Sequence, residues 1–285
     1  MTMLRKPEWL RVRYTETPNM EAVEKILDSL SLNTVCREAH CPNYCECFSR
    51  KTATFMIMGT RCTRNCRFCN VRHGAPEQLS LDEPENVARA IRELELKYVV
   101  VTSVTRDDLP DGGAGHFARV IGEIKKAAPE TVIEVLIPDF GGNADALGIV
   151  TAASPAVISH NMETVKSLYE SVRPQAQYER SLSLLRNIKL KNPAIRSKSG
   201  IMVGLGETEE QVYELFSDLR EVDCEFLTIG QYLSPSKEHI PVHEYIDPQK
   251  FEHYGAMARD MGFEFVASAP LVRSSYHAGE AFGKD

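Results

Sequence analysis

The chain has 285 residues, 43% of them hydrophobic, with 40 acidic against 33 basic side chains and a formal charge of −7. That length and apolar content support a full core, most simply one domain of roughly 200–250 residues with appendages, while the acidic balance argues against a general nucleic-acid binder. No segment approaches the roughly 20 apolar residues of a membrane span and Met1–Leu10 holds no apolar run of signal-peptide length, so a cytoplasmic protein with no membrane or nucleic-acid partner is expected.

Residues 1–50 show no alternation of strands and helices and read as an N-terminal extension. They carry Cys36, Cys41 and Cys47 at C-x4-C-x5-C spacing with Cys45 inside, and since those spacings match no single helical face an irregular loop is expected. From residue 54 onward short β-branched apolar runs alternate with segments of helical period. The predicted strands are Thr54–Met58, Tyr98–Ser103, Val132–Ile137, Ala156–Ser159, Arg196–Val203 and Glu225–Gly230. The predicted helices are Glu85–Leu96, Gly115–Ala127, Met162–Tyr169 with Tyr178–Leu190, Glu209–Glu221, and a last one near Pro248–Met261 leading into the apolar run Phe263–Ala267. Continuous apolar strands followed by helices imply a parallel sheet covered by helices. The fold expected is α/β, an open partial (β/α)6 barrel over residues 51–267, since a closed eight-unit barrel needs more chain than is left. Residues 268–285 form a C-terminal tail.

Seven of the eight cysteines fall between positions 36 and 69. Without a secretion signal that density suggests metal binding in a reducing compartment rather than disulfides. Cys62, Cys66 and Cys69 form a C-x3-C-x2-C loop after the first barrel strand, where the working face of such a barrel lies. Three thiolates on one loop hold three irons of a 4Fe–4S cube that normally takes four cysteines. The fourth iron is then open to a substrate or cofactor. The rival is a structural zinc site with a fourth cysteine from elsewhere, although such sites usually pair two C-x2-C hooks. Cys224, leading into a strand, reads as a buried apolar-type cysteine.

Three further patches belong on that working face. Thr102–Gly115 offers hydroxyls, an Arg–Asp pair and glycines to a polar ligand, or is a plain turn. His160-Asn161-Met162-Glu163 reads by itself as a helix N-cap, Asn161 capping and Glu163 favoured by the helix dipole. Met202–Thr208 resembles a phosphate-cradling loop, but without the full dinucleotide fingerprint. The tail residues Leu271–Ala278 read alone as loop, with no nearby acid to complete a Ser-His-Asp triad.

The C-x3-C-x2-C loop is similar to that of the radical S-adenosylmethionine (SAM) enzymes, and the chain as a whole resembles the lipoyl synthases. The residues that carry the resemblance are Lys6-Pro7-Glu8-Trp9-Leu10, Thr34-Val35-Cys36, Cys41-Pro42-Asn43, Cys47, the Cys62 loop, Arg106–Ala114 and His160–Val165. They continue with Arg173-Pro174, Tyr178, Ser181-Leu182, Gly204–Thr208, Gly230-Gln231-Tyr232-Leu233 and Arg273-Ser274-Ser275-Tyr276. The resemblance implies insertion of two sulfur atoms at C6 and C8 of an octanoyl chain linked to a carrier-protein lysine. It implies two 4Fe–4S clusters and SAM as cofactors. One cluster is held by Cys62, Cys66 and Cys69; the other, a sulfur source, by Cys36, Cys41, Cys47 and a tail serine, assigned to Ser275 with Ser274 its rival.

By the same resemblance Asn161, Glu163, Arg173 and Lys198 hold SAM, and Arg273 lies beside the substrate. The implied partners are octanoylated lipoyl carrier domains (acyltransferase subunits of 2-oxoacid dehydrogenases and the glycine cleavage H protein), a low-potential electron donor and a protein that rebuilds the spent cluster. Two positions depart from the family: Cys45, read as a bystander, and Ala269, where the family more often has Gly. The rival functions are a radical SAM sulfur-inserting enzyme acting on a free small molecule, as biotin synthase does, and an iron–sulfur carrier that consumes no SAM. The Arg-Ser-Ser-Tyr tail argues against the first.

Overall fold

The computed structural model describes residues 5–12 and 14–283; the first four residues of the opening segment, residue 13 and the last two of the tail lie outside the described residues. Contacts divide the described chain into two compact units, one made of residues 14–64, 70–158 and 275–283 and the other of 5–12, 65–69 and 159–274. These cuts fall elsewhere than at residues 50 and 267.

In the first unit, α1 (Pro18–Ser29) starts where the Thr17 hydroxyl accepts the Met20 N–H and proline takes the first helical position. It buries Met20, Val23 and Leu27. The short strand β1 (Asn33–Thr34) leads into two short helices, α2 (Val35–Glu38) and α3 (Tyr44–Ser49), and then into β2 (Thr54–Ile57), all four of whose residues are buried. Two-residue strands β3 (Arg61–Cys62) and β4 (Arg72–His73) pair in parallel across the cysteine loop. The succession α4 (Glu83–Glu93), β5 (Tyr98–Ser103), α5 (Ala114–Ala127), β6 (Val132–Leu136), α6 (Ala144–Ala152) and β7 (Val157–Ser159) follows. β1 runs antiparallel to β2, while β2, β5 and β6 are parallel, with Thr54 opposite Val100 and Tyr98 opposite Val132. On α5, Phe117, Val120, Ile121 and Ile124 are buried, the i, i+3, i+4, i+7 stripe of a helix lying on a sheet.

The second unit holds α7 (Tyr169–Val172), α8 (Tyr178–Lys191), β8 (Arg196–Val203), α9 (Glu209–Glu221), β9 (Phe226–Gln231), α10 (Pro248–Asp260) and β10 (Phe265–Ser268). β8, β9 and β10 are parallel neighbours. A capping box opens α9, the Thr208 hydroxyl taking the Gln211 N–H while the Gln211 side chain takes the Thr208 N–H. A mixed α/β chain with mostly parallel strands agrees with the expected open partial (β/α) barrel. No helix among the described residues is long and apolar enough to cross a membrane.

Two expectations are corrected. The extension cysteines do not lie in an irregular loop: Cys36 sits on α2 and Cys47 on α3, with Cys41 in the turn between them. The Thr34 hydroxyl caps α2 by accepting the Arg37 N–H. Of the three cysteines at C-x4-C-x5-C spacing each short helix holds one, so the unequal spacings span two elements and the turn between them. Nor does a helix start at Met162. Glu163 adopts φ 68° and bridges in parallel to Ile201, its N–H donating to the Gly200 carbonyl and its carbonyl accepting the Met202 N–H. Strand pairing claims the backbone groups that a helix would use, and regular α-helix begins only at Tyr169.

Candidate functional site

The extension cysteines and the end of the tail meet in the first unit. Thr54, at the start of β2, donates its hydroxyl to Ser275 Oγ at 2.8 Å. The Thr54 N–H and hydroxyl also bear on the Cys36 thiol, which burial, opposed by those hydrogen bonds and helped by Cys41, pushes up to about 11. Burial, then the charges of Cys36, Cys41 and Glu46, push the Cys47 thiol up to about 12. Two thiols that resist losing a proton, each beside Cys41, suit a cation that neutralises the thiolates. Cys45 lies two residues from Cys47 on α3 and is buried. A separation of about 200° around a helix puts the two thiols on opposite faces, which fits a bystander.

Tyr276 OH lies 2.9 and 3.0 Å from the two Glu46 carboxylate oxygens, and His277 Nε2 lies 3.1 Å from Glu46 Oε1 and 2.9 Å from Arg50. Burial and Glu46 push the Tyr276 phenol up to about 12, so it donates at neutral pH. Glu46 and Thr54 were missed in the sequence because their tail partners lie 230 and 221 residues away.

The C-x3-C-x2-C loop divides between the units, Cys62 in the first and Cys66 and Cys69 in the second. Cys62 Sγ accepts backbone N–H groups from Arg64 at 3.4 Å and Thr105 at 3.3 Å. Arg64 is buried and anchored twice, in a two-pronged bond to Asp107 at 2.7 and 2.8 Å and at 2.6 Å to Asp139, itself 1% exposed. The Thr102–Gly115 stretch is largely engaged in such internal contacts. Arg106 pairs with Asp108, and Asp111 accepts the N–H groups of Gly113 and Gly115 where α5 begins, as a built turn does. In the second unit the Cys69 N–H turns back to the Cys66 carbonyl, the Cys69 carbonyl lies 3.1 Å from His239 Nε2, and the Arg67 N–H donates to Val172.

Asn161, Glu163, Arg173 and Arg273 come together in that second unit. Asn161 Nδ2 donates to Glu163 at 3.0 Å, so Asn161 caps no helix. Arg173 donates to the Asn161 carbonyl and to Tyr169 OH, each at 2.8 Å. Burial of the Glu163 carboxyl pushes it above its ordinary range, against the pull of Arg173, Asn161 and Arg273. Arg273 therefore stands within electrostatic reach of the residues expected to hold SAM. Lys198 is 2% exposed on β8, and its carbonyl accepts the His160 N–H.

Among the described residues Asn161 Oδ1 and Ser159 Oγ are buried without a hydrogen-bond partner, a cost that a bound polar ligand removes. Gly200 faces this group: a Cβ there would press on Asn161 Oδ1 and Thr228 Oγ1. The phosphate-loop resemblance fails, because the Glu207 carboxylate already accepts the Gly204 and Leu205 N–H groups at 2.5 and 2.9 Å. Cys224 is fully buried beside β9 as expected.

Among the described residues no three His, Cys, Asp or Glu side chains are grouped as ligands of a single metal ion would be. A cube makes a different demand, since each thiolate takes a separate iron. The residues fit the groups implied: three neighbouring thiols with a serine beside them, a three-cysteine loop with one thiol held by backbone donors, and the unpaired Asn161 Oδ1 beside a carboxylate and two arginines.

Residues 56–219 match the family model of the Radical SAM superfamily. The chain is 58% identical over 284 residues to the lipoyl synthase of Alkaliphilus metalliredigens, covering 100% of this chain and 98% of that one. It is 58% identical over 275 residues to that of Caldanaerobacter subterraneus subsp. tengcongensis, covering 96% of each. To that of Geobacter metallireducens it is 52% identical over 284 residues, covering 100% of each. Among solved structures, methylornithine synthase matches with TM-score 0.54 at 13% identity over 92% of this chain and 81% of that one. HydG, a maturase of the FeFe-hydrogenase, matches with TM-score 0.57 at 13% identity over 93% and 64%; at such identity these two speak for the fold alone. By its end-to-end likeness to those relatives, the chain belongs to the lipoyl synthases, sulfur-inserting enzymes of the radical SAM superfamily.

Proposed function

We propose that the chain inserts sulfur at C6 and C8 of an octanoyl chain carried on the lysine of a lipoyl carrier domain. Cys62, Cys66 and Cys69 would hold a 4Fe–4S cluster, and Asn161, Glu163, Arg173 and Lys198 would hold SAM. When bound, these groups supply a 5′-deoxyadenosyl radical that removes one hydrogen for each sulfur. A second cluster, on Cys36, Cys41, Cys47 and Ser275, is a substrate in this reading: it gives up its sulfur and is degraded. Its partners are the octanoylated acyltransferase subunits of 2-oxoacid dehydrogenases and the glycine cleavage H protein, with a low-potential electron donor and a protein that rebuilds the cluster.

The observation that carries the reading is Thr54, whose hydroxyl donates to Ser275 while its N–H and hydroxyl bear on Cys36, the thiol coupled to Cys41 and Cys47. An alkoxide is a harder ligand than a thiolate, so iron on Ser275 is released more readily than iron on a fourth cysteine. Burial disfavours an ionised Glu163 while Arg173, Asn161 and Arg273 oppose that shift; a ligand's ammonium group at this carboxyl would add to their pull toward the carboxylate. The buried Arg64 holds the backbone that donates to Cys62 and so fixes the thiol's direction.

The test is anaerobic reconstitution with iron and sulfide, then turnover with SAM, a reductant and an octanoyl-lysine peptide. The expected product is the lipoyl-lysine peptide, with 5′-deoxyadenosine formed alongside and free octanoate left unchanged. Conversion of free octanoate at a comparable rate would favour the small-molecule reading, and cluster binding without 5′-deoxyadenosine would favour a carrier.

A further inference from the structure

The tail past Ser274 is fastened to helix α3 by side chains. Tyr276 OH reaches both oxygens of the Glu46 carboxylate. His277 Nε2 lies beside Glu46 in the first turn of α3 and Arg50 at its C-cap, donating to the one or accepting from the other according to its tautomer, while Nδ1 meets Glu280 of the tail itself at 2.7 Å. Neighbouring residues of an extended chain point to opposite sides. Here His277 takes φ 50°, and its ring stacks on that of Tyr276 with centroids 4.1 Å apart, so both side chains turn to one carboxylate. Further along, Phe282 packs against Tyr98 at 5.8 Å between ring centroids.

We propose that Glu46 is a positioning residue that latches the tail to α3 and thereby sets Ser275 beside the extension cysteines. The proposal rests on the reading of Ser275 as a ligand of the second cluster. Glu46 immediately precedes Cys47 on α3, so one helical turn fixes a thiol ligand and, through Tyr276, the hydroxyl ligand one residue upstream. The Thr54 hydroxyl then orients Ser275 Oγ. Any one of these contacts is weak at a partly exposed site; the latch comes from several converging on a single carboxylate, which is why Glu46 and not a tail residue is its centre. Glu46 takes no part in the chemistry.

The first measurement uses the full chain without iron. Glu46→Ala is expected to speed amide exchange over residues 276–282 at least tenfold while leaving α4 unchanged, and Tyr276→Phe, which removes only the hydroxyl, to act in the same direction. The second uses iron-loaded protein in which Cys62, Cys66 and Cys69 are replaced by alanine, so that only the second cluster contributes to the Mössbauer spectrum. There Glu46→Ala is expected to reproduce the spectrum of Ser275→Ala, and Glu46→Gln, which still accepts the Tyr276 hydrogen bond, to keep that of the parent. Tail exchange unchanged in Glu46→Ala would overturn the latch. So would a parent-like spectrum in Glu46→Ala when Ser275→Ala differs from the parent. If Ser275→Ala itself leaves the spectrum unchanged, the ligand reading fails and the positioning role fails with it, whatever the exchange data show.

Discussion

Cys66→Ala is expected to reduce 5′-deoxyadenosine formation to background while leaving the fold intact. Two thiolates on the loop cannot hold three irons of a cube and leave one defined open site. The side chain is half-buried and the turn it occupies is closed by a backbone bond, Cys69 N–H to Cys66 carbonyl, which alanine retains. A surface-type substitution of this kind shifts stability by about 0.5 kcal/mol or less. Denaturant unfolding of the iron-free protein therefore separates loss of a ligand from loss of structure. Cleavage of SAM at the parent rate by Cys66→Ala would remove this cysteine from the assignment.

Cys41→Ala is expected to split the two halves of the activity. Cys41 lies in the turn between α2 and α3, its N–H donating to the Cys36 carbonyl and its carbonyl accepting the Tyr44 N–H, so alanine preserves the turn and removes only the thiol. Iron per chain should fall from about eight to about four if two cubes are present, and lipoyl product should disappear. SAM cleavage should persist, because Cys62, Cys66 and Cys69 are separate ligands. Ser275→Ala should act in the same sense, keeping the first cluster and stalling sulfur insertion. Dithiolated product from Cys41→Ala at the parent level would end the sulfur-donor role of that cluster.

Much of the barrel was legible because buried parallel strands leave a plain mark. Tyr98–Ser103 and Arg196–Val203 were read with their observed ends, as was the α9 helix Glu209–Glu221, whose apolar stripe and capping threonine agree. The α6 helix Ala144–Ala152 was missed: Ala, Leu, Ile and Val surround it on most sides, so no clear polar face announces a helical period. The α1 helix was missed although Thr17-Pro18 and the Met20, Val23, Leu27 spacing were present, because the extension was judged by its lack of βα alternation. Met162–Tyr169 looked helical but lost its backbone groups to β8, a tertiary preference that no local pattern displays.

The cysteine sets were readable since spacing along the chain is what defines them. What fixes their surroundings was not: Arg64 meets Asp139 across 75 residues, and Thr54 meets Ser275 across 221. Only the fold brings such pairs together. Asn161, Glu163, Arg173 and Arg273 entered through family resemblance, and their convergence in one unit comes from the strand and turn geometry around β8.

In the proposed reading this chain supplies the sulfur it inserts from the cluster held by Cys36, Cys41, Cys47 and Ser275. The most direct test loads the protein anaerobically with heavy-isotope sulfide, removes free sulfide, and runs one turnover with SAM, a reductant and an octanoyl-lysine peptide in medium containing only light sulfide. Mass spectrometry of the peptide should show both inserted sulfur atoms heavy, with the label absent when Cys41→Ala is used. Light sulfur at both positions of the product from the parent protein would rule out that cluster as the sulfur source.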